Sequence, residues 1–402
     1  MDIMTAKETV ITAGKRLVES GLIARTWGNV SCRVDENSFV ITPSGRSYET
    51  LTPDEIVLVK TDDLSYDGDV KPSSEKGIHA QAYILRPEIN FVIHTHQMNA
   101  SAISFLGSDI NCVPAESRDI IGSDIPVASY GLPGTGKLKK GVTEALRRSD
   151  SKAAIMAHHG AVCLGTDYED AFKVASELEK VCEGYLKNTF YNAMGRTAQT
   201  VEEIADYFAA VNVRREEYAE YDPYTSEREG ETMNMYDEDG NVTRINLLTG
   251  ENVSGGDYPE TMELHREVYR RRKDVNSVIH SKKPEIVAVS KIGKTMKPLL
   301  DDFAQLIGVT VRGAEYNPGN TVKSAKKVVR KLRGRNAVLL SGNGALCAAG
   351  DRSDAEAVEM VLEKGARTQI SADLIGGAKA INPVEALLMR VVYKTKYSKQ
   401  KK

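Results

Sequence analysis

Apolar runs of three to five residues recur through the first half of the chain, separated by polar and glycine-containing turns. Runs of this length between turn residues are typical of buried strands. The predicted strands are residues 39–41, 56–59, 91–96, 153–157 and 161–164. Longer segments with apolar residues near one helical face separate these runs. The predicted helices are residues 6–24, 97–106, 137–148, 168–190 and a segment from Glu75 to just before Pro87, and residues 26–31 are predicted as a loop.

The second half of the chain repeats the first. His265, Tyr269 and His280 follow His79, Tyr83 and His94 at an offset of 186 residues, and residues 342–347 match 158–163 at an offset of 184. Matched stretches in the same order at nearly equal offsets indicate a duplicated domain. The predicted organisation is a first domain over residues 1–215, a charged linker over 216–232 and a degenerate second domain over 233–402.

Composition and charge mainly exclude classes of protein. The formal net charge is −3 and the pI about 6.2, which does not favour nucleic-acid binding. No apolar run approaches the roughly 18 residues of a membrane span, and the first residues do not resemble a signal peptide. The five cysteines follow no disulfide or metal-binding spacing, which is typical of a reducing compartment. We therefore expect a cytoplasmic protein without membrane or nucleic-acid partners.

Histidines are the most informative residues of the chain. His94 and His96 end a predicted strand, and side chains two residues apart on a strand share a face. His159 ends another predicted strand, where Gly160 is expected to let the chain turn, and Glu75 begins a helix. Imidazoles and a carboxylate are typical ligands of zinc or another divalent metal. The sequence predicts a metal site made by these four residues, against the alternative of ordinary structural histidines.

The second copy lacks most of these groups. By the offsets, Thr261 replaces Glu75, Lys282 replaces His96 and Asn343 replaces His159, whereas His280 retains the imidazole of His94. We therefore expect the second domain not to bind the same metal.

Three short clusters of small donor residues surround the predicted metal ligands in the sequence. Glycine N–H groups and hydroxyls near a helix N-terminus are suited to binding a phosphate, although each cluster alone is also typical of an ordinary turn or cap. The candidate anion-binding residues are Gly28, Asn29, Thr42, Ser44, Gly45, Ser73 and Ser74.

Taken in order, the segments Gly-Asn-Val-Ser, Ile-Thr-Pro-Ser-Gly, Pro-Ser-Ser-Glu with a histidine four residues on, His-Thr-His and His-His-Gly resemble the class II aldolase/adducin family, and within it the L-fuculose-1-phosphate aldolases. The resemblance implies an α/β fold with α/β/α layers around a mostly antiparallel central sheet, here duplicated. It also implies a zinc ion and four-fold assembly, so we expect a homo-oligomer, including a pseudo-four-fold dimer of tandem chains.

The resemblance also implies residue roles. Glu75 would be the general base, the three histidines would bind zinc, and the small donors above would hold the substrate phosphate. The implied reaction is cleavage of a small ketose 1-phosphate to dihydroxyacetone phosphate and an aldehyde, with zinc stabilising the enediolate.

The sequence departs from the family pattern at the proton donor. Residues 112–119 contain no tyrosine where fuculose-phosphate aldolases have one, which leaves Glu116, Asp119 and Tyr130 as candidates. Epimerisation, dehydration or decarboxylation by the same kind of site, and a non-catalytic adducin-like scaffold, remain as alternatives.

Overall fold

The computed structural model describes residues 1–23, 27–214 and 218–397. The chain forms two compact units. The first comprises Met1–Asn192 together with the C-terminal stretch from Val392, and the second comprises Ala193–Val391.

The first unit is built on a seven-stranded sheet with the order β3-β2-β1-β4-β7-β6-β5. Adjacent strands are antiparallel except β5 and β6 at one edge, which are parallel. The strands are β1 (Asn29–Asp35), β2 (Ser38–Ile41), β3 (Val57–Lys60), β4 (Phe91–Thr95), β5 (Val127–Ala128), β6 (Ala153–Met156) and β7 (Ala161–Gly165). The helices are α1 (Ile3–Glu19), α2 (Lys76–Leu85), α3 (Met98–Ala102), α4 (Ala115–Arg118), α5 (Gly136–Arg148) and α6 (Tyr168–Met194).

Helices cover both faces of this sheet. On one face, apolar residues of α2 and α5, among them Ile78 and Val142, form a buried cluster with strand residues that include Val92. The neighbours of Val92 along β4 point to the opposite face, where the ring of Phe91 meets α6 edge-on through Tyr168, 5.7 Å away. The sheet is therefore the middle layer, and the predicted α/β/α fold around a mostly antiparallel sheet is confirmed.

The element predictions fail mainly at boundaries. The loop predicted for residues 26–31 is wrong from Asn29 onward, because β1 begins there and pairs with β4 over Asn29–Cys32; Thr26 lies outside the described residues. The first helix ends at Glu19 rather than residue 24, as Gly21 has a φ of 70°. The helix predicted for residues 97–106 is confined to Met98–Ala102. Local periodicity does not show which polar residues pair across a sheet.

The second unit repeats the sheet with the order β10-β9-β8-β11-β14-β13-β12, again antiparallel except at the β12–β13 edge. Its strands are β8 (Thr225–Glu229), β9 (Thr232–Tyr236), β10 (Val242–Asn246), β11 (Ser277–Ser281), β12 (Gly313–Ala314), β13 (Ala337–Leu340) and β14 (Ala345–Ala349). Its helices are α7 (Val201–Asn212), α8 (Met262–Arg271), α9 (Pro284–Ile292), α10 (Thr321–Leu332), α11 (Arg352–Leu374) and α12 (Pro383–Val392).

The identical strand order makes the duplication visible in three dimensions, and one core of the second unit joins α8 and α10 to the sheet as α2 and α5 do in the first. Strand β8 and the first residue of β9 lie inside the segment 216–232 for which a linker is predicted. Residues 216 and 217 are outside the described part of the chain, and the domain limits stay a prediction.

Candidate metal centre

Three histidines converge at one end of the central strands of the first unit. The Nε2 atom of His94 lies 3.0 Å from that of His96 and 3.1 Å from that of His159. All three side chains are buried, and their ligand atoms lie within 4.8 Å of one another. The carboxylate of Glu75 completes the group, with oxygens 3.3 Å from His94 Nε2 and 3.1 Å from His159 Nε2. The structure thus brings together the four residues predicted as metal ligands.

The orientation of His94 is fixed by a backbone hydrogen bond. Its Nδ1–H donates to the carbonyl oxygen of Ala161 on the neighbouring strand, at 2.9 Å. A neutral imidazole that donates from Nδ1 has its lone pair on Nε2, which faces the other histidines. His94 is therefore set up to bind a cation.

The β6–β7 turn selects His159 over its neighbour. His158 adopts a φ of 61°, uncommon for a residue with a side chain, and its ring stands edge-on to Tyr130 at 5.4 Å. The left-handed turn therefore lies at His158 and not at Gly160, where the sequence predicted it. Gly160 is needed for another reason: a Cβ atom there would lie 2.1 Å from the carbonyl oxygen of Thr95.

The electrostatics of the group favour a neutral His94 imidazole and an ionised Glu75 carboxylate. Burial holds the pKa of His94 well below its usual value. Burial alone would raise the pKa of Glu75, but the neighbouring His94 and His159 and a hydrogen bond from Asn29 hold it well below its usual value. Metals bind neutral imidazole and ionised carboxylate, and a donor set of three imidazoles and one carboxylate fits zinc or a similar divalent ion.

The predicted anion-binding clusters lie beside this group. The loops at residues 42–45 and 72–74 run side by side, joined by hydrogen bonds from Ser44 N–H to Lys71 O and from Ser73 N–H to Thr42 O. Ser73 Oγ accepts the N–H of Glu75, and Thr42 Oγ1 accepts the N–H of Val30. Gly28 and Gly45 have positive φ values of 104° and 73°.

The side chain of Asn29 faces the metal group. Its Nδ2 donates to Glu75 Oε2 at 3.0 Å, and its Oδ1 is bonded to His79 Nε2. The sequence reasoning missed these two hydrogen bonds, although the spacing of four residues between Glu75 and His79 on one helix face was a signal for them.

The proton-donor candidates lie in different surroundings. Glu116, in α4, and Asp119, just after it, are exposed. Tyr130 is half-buried and meets His158, the neighbour of a predicted ligand. A further element not predicted at the site is Gly134, where an added Cβ would lie 3.1 Å from Ser74 Cβ.

The corresponding place in the second unit is occupied by different chemistry. His280 Nε2 donates to the backbone oxygen of Asn343 at 2.7 Å, and Lys282 Nζ donates to Asn343 Oδ1 at 3.0 Å. Thr261 occupies the N-cap position of α8, as Glu75 does in α2. The ring of Tyr221 lies 5.6 Å from that of His280 and 5.7 Å from Lys282 Nζ. An ammonium group cannot bind a cation, so this arrangement opposes metal binding.

Comparison with known proteins identifies the family. The family described as "Class II Aldolase and Adducin N-terminal domain" matches residues 8–186 and again residues 222–370. The chain therefore belongs to this family and contains its domain twice, which confirms the resemblance.

Individual relatives match within less than half of the chain. The 5-methylthioribulose-1-phosphate/5-deoxyribulose-1-phosphate aldolase of Escherichia coli O45:K1 is 35% identical over 188 residues, covering 46% of this chain and 86% of the relative. The L-fuculose phosphate aldolase of Escherichia coli K12 is 34% identical over 177 residues, covering 44% and 80% respectively. Both relatives are named aldolases, and the predicted class of enzyme, a lyase, is confirmed at this level.

Two solved structures with partial similarity to this chain are L-fuculose-1-phosphate aldolases. An L-fuculose 1-phosphate aldolase structure is 27% identical, covers 48% of this chain and 89% of its own, and has a TM-score of 0.42. The L-fuculose-1-phosphate aldolase of Thermus thermophilus is 25% identical, covers 48% of this chain and 98% of its own, and has a TM-score of 0.41.

None of the helices in the described ranges combines the length and apolarity that crossing a membrane requires.

Proposed function

We propose that the first unit is a zinc-dependent aldolase that cleaves a small ketose 1-phosphate to dihydroxyacetone phosphate and an aldehyde. The observation that carries this proposal is the convergence of His94, His96, His159 and Glu75 in one buried group. Relatives named as aldolases of phosphorylated ketoses support the substrate class.

The three imidazoles and the Glu75 carboxylate would hold the zinc, which when bound polarises a substrate carbonyl and stabilises negative charge that develops there. The Glu75 carboxylate lies 3.1–3.3 Å from two imidazole nitrogens, so it is placed to accept and return a proton at a substrate bound beside them. Loops 42–45 and 72–74, with Gly28 and Asn29, would bind the phosphate through hydroxyl and N–H groups.

For the proton donor to the leaving aldehyde we favour Tyr130 over Glu116 and Asp119. Its ring touches His158 in the turn that positions His159, whereas both carboxylates are on an exposed helix end. A tyrosine hydroxyl also remains protonated at neutral pH, as a general acid must.

The activity test is detection of dihydroxyacetone phosphate from L-fuculose 1-phosphate, 5-deoxyribulose 1-phosphate and 5-methylthioribulose 1-phosphate. Glu75→Gln should lower kcat by roughly 10²-fold or more, as expected on removing a general base. The matched change Thr261→Val, at the corresponding place in the second unit, should leave kcat unchanged, and Tyr130→Phe should lower it while Glu116→Gln and Asp119→Asn do not.

Substrate turnover without dihydroxyacetone phosphate would favour an epimerase, dehydratase or decarboxylase, and the absence of turnover with every substrate would favour a scaffold. The proposal also includes a cytoplasmic location, consistent with five free cysteines. It includes assembly into a homo-oligomer, including a pseudo-four-fold dimer, which native mass measurement would test.

A further inference from the structure

Five buried polar side chains between α2 and β1 form one continuous hydrogen-bonded chain. Glu75 at the N-cap of α2, His79 and Tyr83 follow one another at intervals of four residues, while Asn29 and Ser31 lie two residues apart on one face of the strand. Four helical residues rise about 6 Å and two strand residues about 6.6 Å. Because these intervals nearly match, the side chains interleave in the order Glu75, Asn29, His79, Ser31, Tyr83.

The direction of each hydrogen bond follows from the carboxylate. A carboxylate that binds a metal only accepts hydrogen bonds, and Asn29 accordingly presents its Nδ2–H group to Glu75 and its Oδ1 to His79. The Nε2 atom of His79 must then carry the hydrogen, which leaves Nδ1 as an acceptor. Ser31 Oγ, 2.6 Å from Nδ1, must donate to it.

The hydrogen bonds at the Tyr83 end of this series agree with the assignment. Ser31 has used its only hydrogen on His79, so Tyr83, whose hydroxyl oxygen is 2.6 Å away, must donate to Ser31 Oγ. Burial raises the pKa of Tyr83 well above its usual value, which keeps this donor protonated. Burial lowers the pKa of His79 to about 4, which keeps the imidazole neutral with one donor and one acceptor nitrogen.

The second unit retains only part of this series of hydrogen bonds. Ser226 Oγ lies 2.7 Å from His265 Nδ1 and 2.9 Å from the hydroxyl of Tyr269, as its counterpart Ser31 lies near His79 and Tyr83. The Tyr269 hydroxyl also donates to the backbone oxygen of Ser226 at 2.9 Å. Tyr224 now stands where the strand register places Asn29, and Thr261 stands in place of Glu75. His265 Nε2 is buried without a hydrogen-bond partner among the described residues.

We infer that His79 is a positioning residue, which acts through the amide of Asn29 to fix the Glu75 carboxylate beside the three imidazoles. The hydrogen-bonded Ser–His–Tyr group occurs in both units and connects a helix to a strand. Only the first unit extends it to a carboxylate at the metal group. This inference rests on the metal-binding and proton-transfer roles proposed for Glu75.

The test compares matched substitutions in the two units. His79→Leu should weaken zinc binding by the purified full-length chain by roughly 10- to 100-fold, the usual effect of losing a partner that orients a ligand. It should lower kcat more than it raises KM, because Asn29 is the only proposed phosphate-binding residue that loses a hydrogen bond to His79, whereas loops 42–45 and 72–74 keep their contacts with each other. His79→Gln should restore much of both losses, since its amide can donate to Asn29 and accept from Ser31. His265→Leu should lower the thermal unfolding midpoint but leave the zinc dissociation constant and kcat unchanged.

A pair of smaller substitutions, Ser31→Ala and Ser226→Ala, tests the inference with less risk that the variants fail to fold. Ser31→Ala removes the donor that fixes the ring of His79 and should weaken zinc binding several-fold, whereas Ser226→Ala should not. If His79→Leu and His265→Leu leave zinc affinity equally unchanged, or lower it equally, the inference is wrong. If the wild-type chain binds zinc but cleaves none of the ketose phosphates, the proposed function fails, and the zinc dissociation constants still decide the role of His79.

Discussion

At the residue scale, the contact between two strand ends determines whether His159 reaches the metal group. Gly160 passes so close to Thr95 that no side chain fits between them, and its Cβ position is also 3.3 Å from His94 Cε1. His158, immediately before His159, supplies the left-handed turn at a strain cost of about 1 kcal/mol or more. The loop conformation is thus set by packing against β4.

Gly160→Ala should therefore disturb zinc binding as well as stability. The overpacked backbone should cost about 1–3 kcal/mol, and the resulting shift should move His159 away from its partners. Gly344→Ala is the matched control, since a Cβ there would lie 2.0 Å from Ser281 O in the second unit. It should lower the thermal unfolding midpoint at least as much while leaving the zinc dissociation constant unchanged. Equal zinc affinity in both variants would contradict this account.

At the element scale, the β7–α6 connection is stabilised by a carboxylate at the start of the helix. Asp170 accepts hydrogen bonds from the N–H of Thr166 at 2.9 Å and from Lys152 Nζ at 3.0 Å. Burial alone would raise the pKa of Asp170, but these two donors lower it below its usual value. The connection therefore depends on an ionised Asp170.

A folded-state pKa below the ordinary value means that this stabilisation is complete above about pH 4 and is lost as the pH falls through the lowered value. Asp170→Asn should lower stability at pH 7 by about 0.5–1 kcal/mol, a modest loss because the pair is partly screened by solvent. The difference from wild type in urea unfolding should shrink below about pH 4.

Glu169→Gln is the control, since Glu169 pairs with Arg16 at a much more exposed position. Its effect should stay within about 0.5 kcal/mol at any pH. A difference between Asp170→Asn and wild type that does not change with pH would show that Asp170 acts by packing and not by charge.

At the scale of the whole molecule, one fold serves two different ends. Both units have the same strand order and the same hydrogen-bonded Ser–His–Tyr group between a helix and a strand. Among the described residues, only those of the first unit bring together three imidazoles and a carboxylate, whereas in the second unit Lys282 is bonded to Asn343 at the corresponding place. Duplication has therefore preserved the scaffold while the chemistry diverged.

Elemental analysis of protein purified without chelator or nickel resin should find about one divalent metal per chain, since one full ligand set is present. The double variant His94→Ala, His96→Ala should bind none. His280→Ala, which removes the one imidazole that the second unit shares with the group, should still bind one. Two metals per chain, or loss of metal from His280→Ala, would place a metal in the second unit.

Much of this protein was determined by local sequence. Apolar periodicity predicted most core strands and helices, because burial on one face imposes a repeat on the chain. The spacing of His94 and His96 is enough to place both imidazoles on one face of a strand, and the repeat offsets revealed the duplication. These features depend on residues close together in sequence or on comparison of one half of the chain with the other.

Only the tertiary structure decided which distant groups meet. It shows that β1 begins at Asn29, where the sequence predicted a loop, because the backbone of Asn29 pairs with His94 on β4 and its polar side chain is satisfied by Glu75 and His79. The structure also shows that His159 points toward the metal group because the strained residue His158 makes the turn before it. Glu116 and Asp119 are exposed. His79 is connected to Glu75 by hydrogen bonds through Asn29. A sequence specifies the groups and their local spacing, whereas hydrogen bonds and close contacts between elements many residues apart exist only once the sheet has brought those elements together.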